Sequence, residues 1–272
     1  MSVVSVIGAG SWGTSLAILL SNNGHDVSVW SFFQNEVEML DKEREHKQNL
    51  PGVEIPKSIK FTANIEECLK GHDFIVFVVP SQAVRSTAKR LAPYVNENDI
   101  IIMCSKGLEE ETGLTLSQVI KSEIPQSEIT ALYGPSHAEE VAAGIPTTVV
   151  SASPNVDVSI KVQDLFMSPA FRVYTSSDLI GAEIGAACKN VIALCAGICD
   201  GLGYGDNSKA ALMTRGITEI GRLGRAMGAN AMTFSGLTGI GDLIVTCTSK
   251  HSRNWRAGYL IGRGYTAEEA QN

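Results

Sequence analysis

The segment that most constrains this chain is Val3-Val-Ser-Val-Ile-Gly8-Ala-Gly10-Ser11-Trp12-Gly13-Thr-Ser-Leu-Ala17. A β-branched run passes directly into three glycines spaced Gly-x-Gly-x-x-Gly, and from there into a helix-forming stretch. Each glycine has its own mechanical use. Gly8 permits a tight turn out of the strand, Gly10 lets a pyrophosphate approach the backbone, and Gly13 lets helix and strand pack closely. The helix start then offers unpaired amides and a partial positive charge to the phosphates. Set between a strand and a helix, and followed by a second strand, this spacing points to a dinucleotide site for NAD or NADP.

The rest of the first half extends the pattern. Short β-branched or apolar runs at 3–7, 27–30, 74–79, 100–104, 129–133, 147–151 and 172–175 alternate with helical periodicity at 14–23, 34–41, 82–91, 114–121, 137–143 and 156–166. Several of these runs are continuously apolar, as strands covered on both faces should be. Pro51-Gly52 and Pro56 mark a loop after the second helix. Beyond residue 176 the β signal nearly vanishes, and Ala, Gly, Leu and Ile recur at helical spacing. This texture predicts largely buried helices over 177–200 and 208–227. The expected fold class is therefore α/β, a Rossmann-type doubly wound, mostly parallel sheet over 1–180, followed by an all-α C-terminal domain over 181–272.

A length of 272 residues with 44% apolar side chains suits two domains. The net charge of −7 argues against a nucleic-acid partner, which needs clustered Lys and Arg, but leaves room for a small phosphorylated substrate. Apolar runs such as 74–79 are strand-sized, far below the roughly 20 residues that span a bilayer. Met1 leads straight into a strand, without the charged and apolar regions of a leader. The expectation is a cytoplasmic chain with no stable membrane insertion. Cys68, Cys104, Cys188, Cys195, Cys199 and Cys247 are scattered, with no CxxC pair or Cys/His cluster, and read as buried free thiols rather than a metal site.

Cofactor selectivity is set at the end of the second strand, where an acid holds the ribose 2′-hydroxyl of NAD and an Arg accepts the 2′-phosphate of NADP. Here stand Trp30-Ser31-Phe32-Phe33, with neither. The rings of Phe32 and Phe33 suit either packing on adenosine or a place in the helix-sheet core, and the missing cation leans towards NAD.

In the second half Lys189 is the only basic residue between Ile180 and Gly197, among small and apolar neighbours. Such a lysine must snorkel to water, find a partner, or lose its proton more readily through desolvation, and the last would suit proton transfer near neutral pH. Composition leaves the snorkelling and catalytic readings equally open. Lys106 and the pair Gly134-Pro135 with Ser136 each follow a strand, at the carboxyl edge of the sheet where ligands bind; Gly134-Pro135 also suits a plain turn. Gly239-Ile-Gly-Asp242 and Ser249-Lys-His-Ser252-Arg253-Asn254 are polar patches on either side of 243–246. Ser252-Arg253-Asn254 opens a helix reaching Arg263, where amides, a hydroxyl and a guanidinium form either a phosphate site or an ordinary N-cap beside a solvated Arg.

Taken in order, Gly8-Ala-Gly-Ser-Trp-Gly13, Val79-Pro-Ser81, Ser105-Lys-Gly107, Gly134-Pro-Ser136, Lys189-Asn190, Gly201-Leu-Gly-Tyr-Gly-Asp-Asn207, Gly239-Ile-Gly-Asp242 and Ser252-Arg-Asn254 resemble the NAD(P)-dependent glycerol-3-phosphate dehydrogenase family along the whole chain. The resemblance implies interconversion of sn-glycerol 3-phosphate and dihydroxyacetone phosphate, feeding glycerophospholipid synthesis, in a homodimer. It implies Lys189 as proton acceptor for the C2 hydroxyl, and Lys106 and Asp242 as groups that hold and polarise the substrate. Gly134, Ser136, Ser252, Arg253 and Asn254 fall at substrate-binding positions, chiefly around the phosphate. Ser11, Trp12, Phe32, Phe33, Lys106, Ala138 and Arg253 fall at cofactor contacts, beside Gly8, Gly10 and Gly13.

Two departures stand out. Bacterial members carry basic residues near positions 32 and 33, so their absence here argues against efficient use of NADP. Members also continue past the equivalent of Asn272. In this chain Thr266-Ala-Glu-Glu-Ala reads as an N-cap and first helical turn cut short by the chain end, the mark of a truncated α-domain. Another two-domain hydroxyacid or hydroxyacyl dehydrogenase, and an NAD(P)-binding fragment without turnover, are the alternatives. A phosphate site at Ser252-Arg253-Asn254 with Lys106 separates glycerol phosphate from the other substrates.

Overall fold

The glycine turn sits where the sheet changes direction. The computed structural model describes residues 1–97 and 99–270. Its strands are β1 (Val3–Ile7), β2 (Asp26–Trp30), β3 (Lys60–Thr62), β4 (Phe74–Phe77), β5 (Ile100–Met103), β6 (Glu128–Tyr133), β7 (Thr147–Ala152) and β8 (Phe171–Ser176). They form one eight-stranded sheet in the order β3-β2-β1-β4-β5-β6-β7-β8. The chain first winds outward from β1 to β3, then returns to place β4 on the other side of β1. The pairs β1–β2, β1–β4, β2–β3, β4–β5, β5–β6 and β7–β8 run parallel. Between the strands lie α1 (Ser11–Asn22), α2 (Gln34–Glu43), α3 (Ile65–Cys68), α4 (Val84–Leu91), α5 (Leu116–Glu123), α6 (Ala138–Ala142) and α7 (Val156–Phe166).

The expected doubly wound sheet is the one found, and burial explains why its strands read so clearly. β5 is Ile-Ile-Ile-Met with every residue buried. Val4, Val6, Val29, Val76 and Ile102 on neighbouring strands pack with Leu16 and Leu20 of α1 and Leu40 of α2 in a single core. β3 escaped sequence reading. It has three residues, Lys-Phe-Thr, partly exposed at the sheet edge, and only its register with β2 (Ser28 opposite Lys60) makes it a strand.

The second unit comprises residues 178–270 together with Tyr133–Pro135. Its helices are α8 (Leu179–Gly201), α9 (Gly205–Ala226), α10 (Asp242–Thr248) and α11 (Arg253–Gly262). Asp178 caps α8, its carboxylate accepting from the Gly181 amide at 3.0 Å. α8 and α11 meet backbone to backbone. A Cβ on Gly197 would lie 2.1 Å from the Trp255 carbonyl oxygen, and one on Gly258 would lie 2.0 Å from that of Leu194. Leu237–Gly241 is a π-turn leading into α10, a feature that the glycine-rich patch did not announce. The turn expected at Thr266 is present: Thr266 Oγ1 accepts from the Glu269 amide at 3.2 Å, and Glu269 accepts from the Thr266 amide at 2.8 Å. Gln271 and Asn272 lie outside the described residues.

α8 has 23 residues, and an 18-residue window of it with a mean hydropathy of 1.5 is apolar enough to cross a membrane by length and composition, a test that the core helix of a folded domain also passes. The length of unbroken apolar runs does not register it, because Glu183 and Lys189 interrupt the helix; both are buried. One expectation needs correction: of the six cysteines, all free thiols, only Cys68, Cys104 and Cys247 are buried, while Cys188, Cys195 and Cys199 on α8 are half-buried.

The helix contact gives a direct test. Gly258→Ala forces α11 off α8 and should lower stability by about 2 kcal/mol, a usual cost of overpacking. Gly221→Ala on α9, where an added methyl would meet only the Phe234 ring at 3.8 Å, should instead stabilise by up to about 1 kcal/mol through helix propensity. Urea unfolding of both variants reads the contrast.

Candidate active site

Gly8 leaves β1 with φ of 122°, a conformation that favours glycine, and a Cβ there would sit 2.5 Å from the Val78 carbonyl oxygen, just past β4. A Cβ on Gly13 would lie 2.0 Å from the carbonyl oxygen of Gly8. The protein's own packing therefore dictates these two glycines. Gly10 differs: its φ is −63°, and nothing lies within 4 Å of where its Cβ would be. As N-cap of α1 it brings no side chain to the first-turn amides. The indole Nε1 of Trp12 is buried and has no hydrogen-bond partner among the described residues. An open backbone edge at a helix start is what a pyrophosphate requires. Gly8, Gly10, Ser11, Trp12 and Gly13 thus fit a dinucleotide.

The neighbouring loops belong to the same sheet edge. Gly107, next to Lys106 after β5, would place a Cβ 2.9 Å from that of Ser81, so the loops after β4 and β5 touch. Ser105 Oγ donates to the Val79 carbonyl at 2.5 Å. Ser15 Oγ lies 2.8 Å from the Ala138 carbonyl, which ties the start of α6 to α1. Ser136 follows β6 in this unit, whereas Gly134 groups with the helical unit.

At the end of β2 the structure removes the core reading of the aromatic pair. Phe32 and Phe33 are 59% and 61% exposed, so neither belongs to the core. Their rings meet edge to face at 5.2 Å, and Phe32 meets Trp30 at 6.3 Å. A cation that sequence reading missed lies there too: the guanidinium carbon of Arg90, from the last turn of α4, stands 4.9 Å over the Phe32 ring. An acid is also near the strand end. Ser31 hydrogen-bonds Glu36 of α2, whose other oxygen lies 3.3 Å from buried His46. The hydrogen bond from His46 holds the Glu36 carboxyl below its usual value, against the opposing effect of burial.

In the helical unit Lys189 neither snorkels nor stands alone. It is 6% exposed, and its Nζ donates to Asp242 Oδ1 and, at 2.9 Å, to Thr246 Oγ1. The Thr246 hydroxyl hydrogen goes to the Asp242 carbonyl at 2.6 Å, which leaves its oxygen to accept from Lys189. Asp242 is 1% exposed and opens α10, where the helix dipole also favours a carboxylate. Ser252 is the N-cap of α11, accepting from the Trp255 amide at 3.2 Å, with Arg253 exposed and Asn254 half-buried in the first turn. Another cluster had no local sequence signal: Asp200 at the end of α8 receives the Trp255 indole at 2.7 Å and Lys209 at 2.9 Å, joining α8, α9 and α11.

Removing one partner of a buried ion pair strands the other. Asp242→Ala should therefore cost about 3–5 kcal/mol of stability, and adding Lys189→Met should recover most of it, as read by urea denaturation.

Comparison with known proteins agrees with this architecture. The family model for the NAD-dependent glycerol-3-phosphate dehydrogenase N-terminus matches residues 3–159, and that for the C-terminus matches residues 178–272. The glycerol-3-phosphate dehydrogenase [NAD(P)+] of Agathobacter rectalis is 57% identical over 270 residues, covering 99% of this chain and 80% of its own length. That of Bacillus subtilis is 49% identical over 272 residues, covering 99% and 79%. The crystal structure of glycerol-3-phosphate dehydrogenase from Coxiella burnetii superposes with a TM-score of 0.96 at 38% identity, covering 99% of this chain and 83% of that one. On these findings the chain belongs to the NAD-dependent glycerol-3-phosphate dehydrogenase family.

Proposed function

We propose that this chain interconverts dihydroxyacetone phosphate and sn-glycerol 3-phosphate with NAD(P), with Lys189 as the proton-transfer group. Family membership supports the reaction, and the observation that carries the residue assignment is the buried ammonium of Lys189, held by Asp242 and Thr246. When bound, the nicotinamide supplies a hydride to C2 of dihydroxyacetone phosphate or accepts one from C2 of glycerol 3-phosphate. In reduction Lys189 gives a proton to the C2 oxygen; in oxidation it takes that proton back. Dihydroxyacetone phosphate, reduced nicotinamide and one proton thus balance glycerol 3-phosphate and oxidised nicotinamide. Asp242 aims the ammonium in a dry setting, where the pull of a positive charge on a developing alkoxide is stronger than in water.

The substrate phosphate is the task of α11. Arg253 presents a guanidinium fork at a helix start whose dipole already favours an anion. Ser252 Oγ accepts from the Trp255 amide through one lone pair, which leaves its hydrogen for a phosphate oxygen. Asn254, Gly134, Ser136 and Lys106 supply further polar contacts in this reading. Family resemblance also supports a cytoplasmic homodimer that feeds glycerophospholipid synthesis.

Steady-state kinetics test the assignment. Lys189→Ala should reduce kcat with dihydroxyacetone phosphate by about 100-fold or more while leaving dinucleotide affinity intact. Arg253→Ala should chiefly raise KM for the phosphorylated substrate. A Lys189→Ala variant that keeps most of its kcat overturns the proton-transfer role, and unchanged kinetics in Arg253→Ala places the phosphate elsewhere.

A further inference from the structure

We propose that Arg90 reads the 2′-phosphate of NADP, giving this chain a cation for that group from α4 rather than from the end of β2. The inference rests on the dinucleotide reading of the glycine turn and names a specificity-determining residue within that site.

The ribose end of a dinucleotide in a parallel sheet of this kind lies beyond the second strand, where a carboxylate selects NAD and a guanidinium selects NADP. Positions 31–33 hold Ser, Phe and Phe. The nearby carboxylate, Glu36, already has one partner on each oxygen, Ser31 and His46. The Ser31 hydroxyl is committed too, accepting from the Phe33 amide at 3.2 Å while it bonds Glu36.

Arg90 is in a different situation. Its guanidinium stands 4.9 Å over the exposed Phe32 ring, an attraction of a cation to the negative face of the ring. The contact holds the guanidinium over the ring through its charge rather than through a hydrogen-bond acceptor. Among the described residues Arg90 makes no hydrogen bond or ion pair. Its neighbours on α4 contrast with it. Arg85 is saturated by Glu109 at 2.7 Å and Glu123 at 2.5 Å, and the charge of Lys89 acts on Glu109. Arg90 therefore stands apart as a cation with open donors beside the residues that follow β2. A phosphate monoester dianion, which takes a fork of charge-assisted hydrogen bonds, complements it; a neutral ribose hydroxyl gains far less.

Calorimetric titration of the full chain with NADP+ and with NAD+ tests this without turnover. Arg90 is exposed, so Arg90→Ala should leave the unfolding midpoint unchanged. The variant should raise Kd for NADP+ about tenfold or more, equivalent to about 1.4 kcal/mol, and shift Kd for NAD+ less than about twofold. Arg90→Lys, which keeps the charge but loses the planar fork, should fall between wild type and Arg90→Ala. Equal weakening of both nucleotides overturns the proposal by assigning Arg90 to the adenine they share, and no change in either overturns it outright. Failure of the wild-type chain to bind either nucleotide overturns the dinucleotide reading and this inference with it.

Discussion

An ammonium group taken out of water costs several kcal/mol unless a carboxylate meets it in good geometry, and the helical unit is arranged around meeting that requirement at Lys189. Asp242 is delivered by the π-turn, which ends where α10 begins. That turn lies against α8 because Gly185 has no side chain: a Cβ there would sit 2.2 Å from the Thr238 carbonyl oxygen. Thr246, one turn further along α10, completes the cage. The glycines that bring α8 and α11 together then fix Ser252, Arg253 and Asn254 relative to the same helix. Backbone approach through missing side chains thus converts one long apolar helix into the support for both a buried charge and the start of α11.

The sheet unit uses the same device for a different end. Gly8 and Gly13 are demanded by the chain's own atoms, whereas nothing in the chain crowds Gly10. The pattern Gly-x-Gly-x-x-Gly therefore mixes two glycines that the fold itself requires with one that it does not.

Much of this was legible in the sequence because the signals are local. A strand, a glycine turn and a helix are contiguous, and β5 declares its burial as an unbroken Ile-Ile-Ile-Met run. Lys189 could be singled out by its apolar neighbours, but its fate could not, because Asp242 and Thr246 come from a helix far along the chain. β3 was missed since three edge residues carry no period. Arg90 was missed for a related reason. Selectivity was sought in the residues that follow β2, while the cation arrives from α4. What sequence reading loses, in each case, is a pairing made across the fold rather than along it.

The chemistry assigned to the chain is a hydride and proton exchange at C2 of a three-carbon phosphate. It is tested most directly by following the oxidation of NADH and of NADPH on addition of dihydroxyacetone phosphate to the purified chain. Nicotinamide oxidation should depend on dihydroxyacetone phosphate and should not be elicited by unphosphorylated dihydroxyacetone. A chain that binds either reduced nucleotide yet oxidises none of it when dihydroxyacetone phosphate is added would contradict it.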